Sequence, residues 1–119
     1  MKRLLVLIAA LPFCSTATAE PNAVAYQLQE RCGKRAEMVH GIDHTSRVVQ
    51  SHYNIRLNKC FSIERVVGLP LKFLFDVSSG EAWATFSSNG DNVIQCVVED
   101  KQCHSLREWD ELVRPYMEE

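Results

Sequence analysis

The feature that most constrains this chain is its cysteines. Setting aside Cys14, close to the start, four remain at Cys32, Cys60, Cys96 and Cys103 in a chain of 119 residues. An even count in a small exported chain reads as disulfides. Four cysteines allow three connectivities. Cys32–Cys60 with Cys96–Cys103 is the favoured one, because each bridge joins neighbours in sequence and the second spans a short turn. In the chain-entropy account the longer loop contributes about 3.5 kcal/mol and the shorter about 2.5. A domain of this size has about 5–15 kcal/mol in total, so the bridges decide its survival. The competing use of these sulfurs is a metal site. Cys96 and Cys103 stand further apart than the cysteines of a zinc knuckle.

Export is read from the first residues. Met1-Lys2-Arg3 is a basic head, and residues 4–11 form an apolar run too short to span a bilayer. Ala17 and Ala19 then put small residues at the −3 and −1 positions of a cleavage site. The expectation is a signal peptide over 1–19, cut after Ala19, and one domain over 20–119. Cys14 leaves with the signal. Leu11-Pro12-Phe13 lacks the small residues a lipoprotein signal wants before its cysteine. Without Lys2 and Arg3, eleven basic residues face fifteen acidic ones, a formal charge of −4. That balance disfavours nucleic acid, whose phosphates need basic patches, and anionic lipid for the same reason.

Periodicity gives the elements. Ala25, Leu28, Cys32, Ala36 and Val39 recur at helical spacing, and Asn22 can cap the helix they predict over 22–39. Residues 40–51 are polar and aperiodic and read as a loop. From Tyr53 to Val67 apolar side chains fall on odd positions, the mark of a half-buried strand. His52, Asn54, Asn58 and Cys60 share the other, wetter parity, and a bend is expected near Asn54 or Asn58. Gly68-Leu69-Pro70 breaks the run. Further strands are expected over 71–77, 82–86 and 93–98, with Asn89-Gly90 as a hairpin signal. Ser105 and Glu108 make a capping box for a last helix with the stripe Leu106, Trp109, Leu112, Val113. Pro115 should end or kink it. The expected fold is α+β: a four-stranded antiparallel meander flanked by an N-terminal and a C-terminal helix, with two disulfides.

His52-Tyr53-Asn54, Leu57-Asn58-Lys59-Cys60-Phe61, the Cys96 and Cys103 pair, and Leu112-Val113-Arg114-Pro115-Tyr116-Met117 resemble a family of uncharacterised small exported proteobacterial proteins. The resemblance covers most of the chain after the signal, and its most specific part is the HYN-x2-LNKCF block. It implies a bacterial, periplasmic or secreted protein. It brings no activity and no catalytic residue.

The chemistry-bearing residues weigh toward binding. His40 and His44 stand four apart, a helical metal spacing, but Gly41 lies between them and no HExxH pattern follows. His104 beside Cys103 could serve a free thiol as base, which a disulfide removes. There is no G-x-S-x-G elbow, phosphate loop, dinucleotide fingerprint or C-x-x-C. No cofactor and no metal is expected. The leading expectation is a non-enzymatic binding module for an exported or periplasmic protein, inhibitor-like or immunity-like, with His52, Tyr53, Asn54 and Trp83 as its surface. The alternatives are a small periplasmic hydrolase using His52 or His104, and metal handling through His40 and His44.

Overall fold

The computed structural model describes residues 21–40 and 47–119. The residues read as a signal segment with its cleavage site, Cys14 and His44 lie outside them, as does the side chain of His40. The chain runs α1 (Pro21–His40), β1 (Arg47–Asn54), β2 (Lys59–Val66), β3 (Leu71–Asp76), β4 (Ala82–Asn89), β5 (Asn92–Val98), β6 (Lys101–Gln102) and α2 (Leu106–Glu118). All strands are antiparallel, and the sheet follows chain order from β1 to β6. The fold is α+β with two helices, and the two disulfides join the favoured pairs.

The sheet has six strands where four were expected. The alternation that suggested one long strand belongs to a hairpin, with residues 55–58 as its four-residue loop. Two side chains close that loop. Asn54 Oδ1 accepts from the Leu57 amide, and Asn58 takes a φ of 52°, a left-handed conformation asparagine tolerates. The sixth strand is a two-residue return after β5.

The hairpin also inverts the expected faces. Tyr53 pairs with Cys60 and Ser51 with Ser62, so odd residues of β1 share a face with even residues of β2. α1 lies on that face. Cys32 and Ala36 pack there with Cys60 and Val77, flanked by Val49 and Tyr53. The other face holds the main core of Phe61, Leu74, Ala84, Phe86, Val98, Trp109 and Val113, under α2. Even-numbered polar residues of this stretch, on the parity expected to be wetter, are therefore interior: Asn54, Ser62 and Glu64 are buried.

Each helix fits its site through specific residues. Gln29 faces the outer edge of β1, where its amide donates to the Ser51 carbonyl and accepts from the Tyr53 amide at 2.8 Å. One side chain thus satisfies strand groups that an edge leaves open. Gly33 sits over β1, where a Cβ would stand 3.4 Å from Ser51 Oγ, at the edge of ordinary van der Waals contact. In α2, Ser105 caps the helix as expected, its Oγ accepting from the Glu108 amide. The Glu108 carboxylate accepts from the His104 amide, one residue before the N-cap, where a capping box would use that of Ser105. The helix continues through Pro115 to Glu118 instead of ending. Asn54 Nδ2 donates to the carbonyls of Pro115 and Tyr116 at 3.1 and 3.2 Å, which satisfies acceptors of the last turn.

Candidate functional site

The residues expected to form one surface do not come together. His52 lies on the α2 face, its Nε2 3.2 Å from the Glu119 carbonyl. Tyr53 points to the opposite face. Asn54 is wholly buried and serves the hairpin and the end of α2. Trp83 is half-buried against Phe61 and Tyr116, with ring centroids at 5.1 and 5.9 Å. It sits where the β3–β4 register shifts, so the bulge turns the ring onto the α2 face. Lys59 Nζ stands 5.3 Å from its centroid and 2.9 Å from the buried Asp76 carboxylate.

Two groups around this cluster are electrostatically tuned. Burial pushes the Tyr116 phenol up to about 12, helped by its hydrogen bond to the Glu99 carboxylate. Burial alone would raise Asp76, but Lys59 and the amides of Ser78 and Ser79 hold it below the usual carboxylate value. Both are bound into structural hydrogen-bond networks.

The concave surface lies elsewhere. A groove of about 470 Å3 runs between the β2–β3 turn, the β4–β5 hairpin and the start of α2. Leu71 and Phe86 form its floor, and Leu69, Val93 and Leu106 its rim. Those three rim residues are exposed, Leu69 by 59%. Arg65 and Lys72 are the cationic residues of its lining and Asp91 its one carboxylate. Lys72 is paired with Asp110, whereas Arg65 has no ion-pair partner among the described residues. The hairpin holds its shape through Gly90, whose φ of 59° at the first of two loop residues is that of a type II′ turn. A broader hollow of about 570 Å3 between β6 and α2 is bordered by Lys101, Gln102, Glu108, Glu111 and Leu112.

The groove could have been suspected from Val66-Val67-Gly68-Leu69-Pro70. Apolar residues in a turn, where polar ones are usual, mark surface with a purpose. The pattern reads first as a strand break, and nothing local shows that the turn shares a groove with Leu106 from the far end of the chain.

Candidate nucleophiles near His104 are committed to structure. Cys103 is bonded to Cys96, and Ser105 Oγ accepts from the Glu108 amide as the helix cap. Among the described residues no hydrogen bond joins His52 or His104 to a serine, tyrosine or cysteine side chain. Nor do three His, Cys, Asp or Glu side chains among them converge as metal ligands. No helix among the described residues is long and apolar enough to cross a membrane.

No protein-family model, curated protein or solved structure matches this chain.

Proposed function

We propose that the protein is a periplasmic or secreted binding module that engages a protein partner through the groove at the start of α2. The observation that carries this is an apolar groove on a disulfide-stapled scaffold: Leu69, Val93 and Leu106 stand exposed around Leu71 and Phe86, beside Arg65. Burying such apolar rims drives association, at about 25 cal/mol per Å2 before the costs of binding. A rigid scaffold lowers those costs. The unpaired guanidinium favours a partner segment in which apolar anchors alternate with a carboxylate, since Arg binds carboxylate with two parallel hydrogen bonds.

The immobilised protein, incubated with periplasmic extract of its own host, is expected to retain a partner at micromolar concentration. Leu69→Asp with Leu106→Asp should abolish retention. Both sites are exposed, and an acid in the first turn of α2 suits the helix dipole, so folding is spared. Arg65→Gln should weaken retention by about tenfold, the scale of one charge-assisted contact. A partner held equally by the double variant, or none held at all, would sink the proposal.

A further inference from the structure

A second concavity lies on the opposite face, beside the longer disulfide. It measures about 160 Å3. Arg31 and Arg35 of α1 line it from one side, and Tyr53, Asn58 and Ser78 from the other, with the Cys32–Cys60 bridge between them. Tyr53, Asn58 and Cys60 belong to the HYN-x2-LNKCF block, so the folding of that hairpin is what sets its polar groups opposite α1.

Its chemistry is one-sided. Residues 31 and 35 are one helical turn apart, which aligns their side chains on one face. Seven other Lys and Arg side chains among the described residues are held in ion pairs: Lys34, Arg47, Arg56, Lys59, Lys72, Arg107 and Arg114. Arg31 and Arg35 have no ion-pair partner among the described residues, although Glu30 and Glu37 lie close in sequence; Glu30 is taken by Lys34. The Tyr53 hydroxyl donates to Asn58 Oδ1. That bond engages the amide oxygen of Asn58, whose Nδ2 has donors to offer a ligand in the cleft it lines. The lining holds no carboxylate. What it offers is two guanidinium groups, an amide donor and the Ser78 hydroxyl.

We infer that this cleft binds a small oxyanion, a carboxylate or a phosphate group, between Arg31 and Arg35 with Asn58 as the third donor. Two forked guanidinium groups match the oxygen geometry of either anion. The site is separate from the groove and does not depend on its reading. Because both arginines are exposed, affinity is set in the millimolar range, where screened charges with one polar anchor fall.

The test is NMR titration of the full folded chain, recording backbone and side-chain amides. Sodium acetate and inorganic phosphate are the two probes, and sodium chloride at matched ionic strength is the control. Saturable shifts at the Asn58 side-chain amide and at Arg31, Arg35 and Ser78 are expected with at least one probe. Which probe binds tighter identifies the anion class. Arg31→Gln with Arg35→Gln should weaken binding by at least about tenfold, and Ser78→Asp should do the same from the opposite wall. Shifts reproduced by chloride, shifts that do not saturate, or unchanged binding in both variants would overturn the inference.

Discussion

Asp76 shows how much one carboxylate can organise. It sits 2% exposed at the end of β3, bonded to Lys59 and to the amides of Ser78 and Ser79. Its folded pKa lies below its unfolded value near 4. Its contribution to stability is therefore present above about pH 4 and is lost as pH falls through the folded pKa. Asp76→Asn keeps the amide-accepting oxygen and loses the charge. Urea melts across pH 2–7 should show a flatter acid limb and a loss of about 1–3 kcal/mol at neutral pH. Tyr116 works in the opposite sense. Its phenol, raised to about 12 by burial and by Glu99, stabilises the fold fully below about pH 10 and loses that contribution as pH rises toward 12. Ultraviolet titration should find one phenol ionising near 12, absent in Tyr116→Phe, at a cost of about 1 kcal/mol.

The elements test how tightly turn chemistry sets the sheet. Gly90 has a φ of 59°, which a Cβ makes strained even though open space surrounds it. Gly90→Ala should destabilise by about 1 kcal/mol and broaden amide signals along the β4–β5 hairpin, visible by NMR. The β1–β2 hairpin explains why the sequence misled. A strict period of two says which residues alternate, but not that the chain reverses between them. With Asn54 opposite Lys59, the partner positions sum to an odd number, so a reversal swaps the faces. His52 and Cys60 share parity and yet look to opposite sides. The α2 helix was legible to its cap and stripe, and its passage through Pro115 was not. The Asn54 amide that holds the last turn comes from sixty-odd residues away, and no local preference encodes that contact. Trp83 was misplaced for a related reason: a bulge shifts register where pattern assumes none.

At the scale of the molecule, the two bridges do different work. Cys96–Cys103 closes a short loop inside the α2-side core, whereas Cys32–Cys60 fastens α1 to the opposite face. α1 docks through small side chains, Cys32 and Ala36 being the buried ones, so its apolar anchorage is slight. Cys32→Ala with Cys60→Ala should cost about 2–4 kcal/mol. Hydrogen exchange should then show lost protection over residues 21–40, while β3, β4 and α2 stay protected. Equal loss across all elements would mean that α1 is integral to the main core.

By itself the sequence determined what is local or covalent: two helices with their stripes and cap, an antiparallel sheet, and cysteines spaced for bridges between neighbours. These follow from backbone periodicity and short-range hydrogen bonding, which a few adjacent residues specify. Only the tertiary structure decided the strand count, which face each polar residue takes, and where the surface is concave. Such properties arise from the placement of distant segments, Leu69 and Leu106 lining one groove and Arg31 and Asn58 lining one cleft. No window of sequence contains both members of such a pair.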